Sequence, residues 1–190
     1  MPDETPERIR VVTWADPEEA RRKGRHISGS ELFEKMRLGE IAEPPFARLL
    51  GIELFDVGEG TVTMTLPPLE IHYNPMGCVH GGILTTLLDS VMSAAVHSAL
   101  PPGKGYLTLG ININFLKPVY EHTGEIMAQG TVVSIRRQVA VAEGRIVDPK
   151  GDICATGSAT CMVFDMPGGR KLNAEAEPGD SETRKGEPKP

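Results

Sequence analysis

The chain has 190 residues, enough for one domain with a real core and too few for two comfortable ones. A net charge of −6, with no Lys/Arg cluster large enough to override it locally, argues against nucleic acid as a partner. No apolar run is long enough to cross a bilayer and no apolar stretch follows the N-terminal Met, so a cytoplasmic protein with no membrane partner is expected.

Residues 1–28 mix Pro, Asp, Glu and Arg around one β-like run, IRVVTW. Arg21, Arg22, Lys23 and Arg25 follow Asp16, Glu18 and Glu19, the pattern of a mixed-charge solvated helix face. SGSELFEKMRLGEI then offers Ser30 as an N-cap and apolar Leu32, Phe33, Met36 and Ile41 at near-helical spacing, which predicts a short amphipathic helix. PPFARLLGI adds a helical turn stopped by Gly51.

After Gly51 the period changes. IELFDVGEGTVTMTLP reads as strand, Gly-Glu-Gly turn and strand, with Val62, Met64 and Leu66 on one face and Thr61, Thr63 and Thr65 on the other. A loop through Asn74, Pro75 and Gly77 leads to a long helix that stops before Pro101. Four further strands follow, joined in part by the short links RRQ and DPKGD, so consecutive strands are expected to pair as an antiparallel meander. The fold class is α+β, an antiparallel sheet with one dominant helix. Residues 1–40 are read as an N-terminal extension with a short helix, 41–166 as the folded domain, and 167–190, which has almost nothing to bury, as a disordered tail.

The long helix carries the chemistry. Leu84, Leu87, Leu88, Val91 and Ala95 share one stripe, the core face. The opposite side holds Thr85, Thr86, Asp89, Ser90, Ser93 and His97, where a solvated helix would place Glu and Lys; this side must also be covered, by the wrapped sheet or by a second subunit. Asp89, the single charged group between His80 and Leu100, would lose hydration there, at a cost of several kcal/mol unless hydrogen bonds compensate. That favours a chemical role over a carboxylate merely satisfied by Thr85. At the helix start, the N–H groups of Gly81 and Gly82 lack intrahelical partners and can approach a ligand oxygen closely, as an oxyanion hole requires. Asp89 follows Gly81 by a little over two turns, and this spacing reads as two groups within reach of one thioester.

The run NPMGCVHGGILTTLLDSVMSAA, followed by YLTLGININFLKPV, closely resembles the hotdog-fold acyl-CoA thioesterases of the phenylacetic-acid-degradation type, in the 4-hydroxybenzoyl-CoA thioesterase superfamily. The resemblance covers roughly residues 44–164. It implies an antiparallel sheet wrapped around the long central helix and two protomers joined edge to edge with each active site at their interface; because the second side of the helix needs covering, a homodimer, and further a homotetramer of two dimers, is expected. It implies hydrolysis of an acyl-CoA substrate, with coenzyme A part of that substrate and no cofactor. Asp89 then matches the catalytic carboxylate, as nucleophile or as general base, and Gly81 the N–H that polarises the thioester carbonyl. Asn74 matches an amide that orients substrate or water, His80 the residue ahead of the glycines, and Thr108 a water-positioning hydroxyl. The plainer alternatives are a turn residue for Asn74, a helix cap for His80 and a strand residue for Thr108. Arg136 and Arg137 stand either to meet the phosphates of coenzyme A or on a solvated turn.

Cys78 beside His80 reads as a buried thiol in preference to a nucleophile with its base, and three cysteines without C-x-x-C spacing form neither a disulfide framework nor a zinc site. The five scattered histidines imply no metal. Two other readings compete. An acyl-CoA sensor of this fold would carry a DNA-binding helix pair, which the first forty residues lack. A hydratase would carry an Asp just before Asn74-Pro75, where Ile71, His72 and Tyr73 stand instead.

Overall fold

A computed structural model describes residues 8–166 of the chain; the tail read as disordered, 167–190, lies outside the described residues. IRVVTW forms no strand: it meets no sheet edge, and Ile9, Val11 and Trp14 stay exposed. The extension holds two helices where one was expected. In α1 (Pro17–Gly24) the Asp16 carboxylate accepts from the Glu18 N–H, Pro17 occupies the first turn, and exposed Glu18–Arg21 and Glu19–Lys23 pairs confirm the mixed-charge face.

Helix α2 (Gly29–Arg37) is capped by Ser28, whose Oγ accepts from the Glu31 N–H at 3.2 Å, and not by Ser30. The reason is a close approach: a Cβ on Gly29 would lie 1.7 Å from the His97 carbonyl oxygen, and the Gly29 N–H donates to Leu100 at 3.1 Å. Only glycine fits there, and the helix starts at that residue with Ser28 as its cap. Phe33 of α2 then joins Val62 and Ala94 in a small core of its own, so α2 packs into the domain. Helix α3 (Pro45–Leu50) ends at Gly51 with φ 75°, as expected.

Strands β1 (Glu53–Gly58) and β2 (Thr61–Leu66) form the expected hairpin through Glu59-Gly60. The threonine face of β2 is not solvated: Thr63 and Thr65 are buried like Val62 and Leu66. After a 3-10 turn (Glu70–His72) comes α4 (Gly81–Ser98), then β3 (Lys104–Phe115), β4 (Ile126–Arg136), β5 (Val139–Val147) and β6 (Ile153–Asp165). No helix among the described residues is long and apolar enough to cross a membrane.

The six strands form one antiparallel sheet in the order β1-β2-β4-β5-β6-β3. This corrects the expected meander. The links RRQ and DPKGD do join neighbours, but β4 pairs with β2, and β3 lies at the far edge against β6. The connection through residues 116–125 is too long to be a hairpin turn. It crosses the sheet end, with Leu116 and Lys117 N–H groups on the Cys154 carbonyl and the Val119 carbonyl receiving the Val79 N–H. All six strands touch α4, so the sheet wraps it.

A row of glycines makes the wrapping possible. Gly130 of β4, Gly144 of β5 and Gly157 of β6 are mutual partners in register. A Cβ on Gly130 would lie 2.2 Å from the Val91 carbonyl oxygen, and one on Gly144 would lie 2.9 Å from Met92 Cγ. The helix backbone rests on bare strand, with Leu87, Leu88, Val91 and Met92 fully buried around it. Gly130→Ala should therefore push α4 off the sheet, costing about 1–3 kcal/mol or more. By thermal unfolding, that is a fall in Tm of roughly 2–12 °C for a domain this size; an unchanged Tm would contradict the close approach.

Candidate active site

The uncharged face of α4 is explained by its own hydroxyls. Thr86 Oγ1 donates to the Gly82 carbonyl at 2.9 Å, Ser90 Oγ to the Thr86 carbonyl at 2.7 Å and Ser98 Oγ to the Ala95 carbonyl at 2.9 Å. Small side chains folded back in this way keep the helix thin and need no solvent. The C-terminal half of this face is covered within the chain, where Ser93 is buried. Thr85, Thr86, Asp89 and Ser90 remain only half-buried.

Asp89 is held across the fold, not by Thr85 one turn earlier. Thr108 Oγ1 of β3 donates to Asp89 Oδ1 at 3.0 Å. Thr108 pairs with Cys161 and Gly110 with Thr160, so Leu109 is an extra residue, a β-bulge beside the threonine. Such bulges re-aim neighbouring side chains. Asp89 Oδ2 receives no hydrogen bond from the described residues.

The carboxylate opens onto a cleft of about 470 Å³ walled by Phe46 and Ala47 of α3, Leu54 of β1 and Met64 of β2. Its inner end is formed by Phe33 and Tyr106. Burial pushes the Tyr106 phenol above its usual pKa, against a Ser93 hydrogen bond that lowers it. Behind them lies His97, edge-on to Phe33 with ring centroids 5.5 Å apart and 5.2 Å from Tyr106. Burial alone lowers the His97 pKa to about 4, so its imidazole is neutral at neutral pH.

The helix start is a second cluster. His80 is the N-cap: its Nδ1 accepts from the Gly82 N–H at 2.8 Å and its carbonyl from Ile83 at 2.9 Å. The Gly82 donor is therefore engaged by the protein. The Gly81 N–H meets no acceptor among the described residues, and the Phe115 ring stands beside it, 3.1 Å from where a Cβ would be. Asn74 closes the preceding loop, its Oδ1 accepting from the Met76 N–H at 2.8 Å and its Nδ2 reaching Cys78 Sγ at 3.4 Å. The loop is anchored from below by His72, whose carbonyl accepts from the His80 N–H at 2.8 Å.

Of the residues singled out in sequence, Asp89 and Thr108 meet directly, while Asn74, His80, Gly81 and Gly82 gather two helical turns away. The intervening eight residues span about 12 Å of helix. Arg136 and Arg137 join neither cluster. They stand exposed at the β4–β5 turn, and Arg136 shares a row with exposed Val139, Met162 and Leu107 on the outer sheet face, opposite to Thr108. Sequence reading missed Phe33, Met64 and Tyr106. The alternation of β3, which puts Tyr106 on the face of Thr108, was the one local signal for any of them. Among the described residues no group of three or more His, Cys, Asp or Glu side chains is placed to hold a metal ion.

The Thioesterase superfamily model matches residues 76–155, the stretch from the helix-start loop to the first residues of β6. A phenylacetic acid degradation-related protein of Ralstonia eutropha is 30% identical, with 68% of this chain and 98% of that protein covered and a TM-score of 0.63. A thioesterase of Haemophilus influenzae is 28% identical, covering 65% of this chain and 85% of its own, with a TM-score of 0.61. The 1,4-dihydroxy-2-naphthoyl-CoA hydrolase of Escherichia coli is 25% identical over 67% of this chain and 92% of that enzyme.

His97 makes stability depend on pH. Its folded pKa, about 4, lies below the ordinary 6.5, so between these values the unfolded chain binds a proton that the folded chain refuses. The His97 contribution is thus fully present above pH 6.5 and is lost as pH falls toward 4, by roughly 3 kcal/mol in all. Tm should fall by on the order of 5–10 °C across this window. His97→Phe should flatten that part of the profile, and an equally steep profile in the variant would show that other groups carry it.

Proposed function

This chain belongs to the thioesterase superfamily, and from that premise we propose that it is an acyl-CoA thioesterase in which Asp89 activates the attacking water. The observation that carries the reading is the lone carboxylate on an otherwise uncharged helix face, fixed by Thr108 and open to an apolar cleft. Thr108 anchors Oδ1 and leaves Oδ2 to take a proton from water. The hydroxide so formed adds to the thioester carbonyl carbon. The resulting oxyanion is stabilised by an N–H at a helix start, and collapse expels the coenzyme A thiolate, which takes the proton held by Asp89 and leaves the free acid. The acyl group lies in the cleft. Water is the only co-reactant needed, and coenzyme A arrives as part of the substrate. His80 sets the helix start by capping it, and Asn74 holds the loop ahead of it.

Geometry supports a site shared between two copies. An oxyanion donor lies about 3 Å from the oxygen it stabilises and the attacking atom about 3 Å from the carbonyl carbon. A donor about 12 Å along the same helix meets this requirement poorly. A second copy supplies the missing donor when Gly81 of the partner subunit faces Asp89. The edge of β3 is suited to that contact: it is the last strand of the sheet, carries the exposed side chains Leu107, Leu109, Ile111 and Phe115, and runs beside Asp89. Pairing of dimers into the expected homotetramer has the outer sheet face available, where Met127, Val133 and Val139 are exposed.

Asp89→Asn keeps the shape and can still accept from Thr108, but it cannot take a proton from water. Turnover should fall by roughly two to four orders of magnitude, the usual scale for a lost general base. A nonhydrolysable acyl-CoA should bind the variant at least as tightly as the wild type. Near-normal hydrolysis would make Asp89 a structural residue. Light scattering at micromolar concentration should return a dimer or a tetramer; a monodisperse, active monomer would contradict the shared site.

A further inference from the structure

Two largely apolar cavities border α2, and contacting aromatic rings line them from either side. The first is the cleft of about 470 Å³ at Asp89; the second, of about 230 Å³, is lined by Ala20 and Gly24 of α1, by Leu32 and Met36 of α2, and by His97. Glu43 and Pro44 border both. Phe33 and Tyr106 face the first cavity and His97 the second, and the three rings touch in sequence, Phe33 on His97 and His97 on Tyr106.

We infer that the Phe33–His97–Tyr106 wall is the ruler that sets the longest acyl chain the enzyme accepts while the thioester carbonyl sits at Asp89. The inference rests on the thioesterase reading and adds the substrate class: straight or aryl-terminated acyl groups that fill the first cavity and stop at the wall. The wall is rigid enough to measure. Phe33 is locked in a core with Val62 and Ala94, and α2 is pinned to the end of α4 by the Gly29 N–H on the Leu100 carbonyl. His97 presents a neutral ring with no hydrogen bond to the described residues, so the wall sets no charge against an apolar chain. Beyond it, α1 lines one side of the second cavity, and α1 lies outside the residues 76–155 matched by the family model. The wall, and not the end of the apolar space, is therefore where a growing chain first meets resistance. If the wall were removed, each further methylene would gain apolar burial worth about a four-fold change in kcat/KM.

The test is a panel of saturated acyl-CoAs from two to sixteen carbons, read by release of free thiol with wild type, Phe33→Ala, His97→Ala and the double variant Phe33→Ala/Ala20→Trp. Wild type should show a sharp fall in kcat/KM beyond one chain length. Phe33→Ala and His97→Ala each open the wall from one side, and each should raise the ratio of long-chain to short-chain kcat/KM by about 16- to 64-fold, two to three methylenes' worth. Trp at position 20 refills the second cavity and should cancel the gain of Phe33→Ala. Should Phe33→Ala not fold, His97→Ala gives the same reading alone. A profile without a cutoff in wild type, an unshifted cutoff in a folded wall variant, or a gain that Trp leaves intact each overturns the ruler. Absence of hydrolysis by wild type across the panel would instead overturn the thioesterase reading.

Discussion

A helix backbone can lie as close to a sheet as Val91 lies to β4 only where the strand carries no side chain, and the rest of the molecule follows from that contact. Gly130, Gly144 and Gly157 clear a path across three neighbouring strands, and α4 settles into it with its leucines buried on either side. A helix sunk so deeply exposes little of itself. Its remaining face therefore carries groups that can be covered at small cost, hydroxyls already bonded to their own helix carbonyls. On such a face one carboxylate is chemically conspicuous. Low surrounding polarity strengthens each interaction it makes, beginning with the 3.0 Å hydrogen bond from Thr108.

The same burial fixes where the chemistry occurs. Because α4 is one continuous helix, its N-terminal donors and Asp89 stay a little over two turns apart. Because β3 crosses to the far edge instead of pairing with β4, Thr108 and the apolar residues near it are placed at an unpaired edge. The crossover that spoils a simple meander is thus what brings Asp89, its anchoring hydroxyl and an exposed apolar strand edge together. The apolar cleft, walled by α3 and β1 and bordered by Phe33 of α2, lies on the other side of the carboxylate.

Much of this was legible in the sequence, for reasons that can be named. The core stripe of α4 and the lone Asp89 are local, periodic features, and periodicity survives folding. The α3 stop at Gly51 and the β1–β2 turn are likewise set by one or two residues. Where reading failed, the deciding contact was remote in sequence. Ser28, not Ser30, is the cap, and Gly29 after it meets the remote His97 carbonyl so closely that no side chain fits. The strand order turned on where a ten-residue connection led, which no turn signal encodes. IRVVTW had strand composition but no edge to join. The cleft was the least legible part, since Phe33, Met64 and Tyr106 come from three elements and meet only when the sheet has wrapped.

The central claim, that Asp89 of one copy works with Gly81 of another, is tested most directly by mixing two inactive variants. Asp89→Asn removes the base. Gly81→Pro removes the N–H while suiting the first helical position, where proline is favoured and where His80, at φ −61° and ψ 134°, already has the extended backbone a following proline requires. Each homodimer should be nearly inactive. After unfolding, mixing in equal amounts and refolding, about half the dimers are mixed, and each mixed dimer pairs one intact Asp89 with one intact Gly81. The account predicts recovery of roughly a quarter of wild-type activity per chain. If both groups served one thioester within a single chain, every chain in the mixture would still be defective, and no recovery above the two parents would contradict the account.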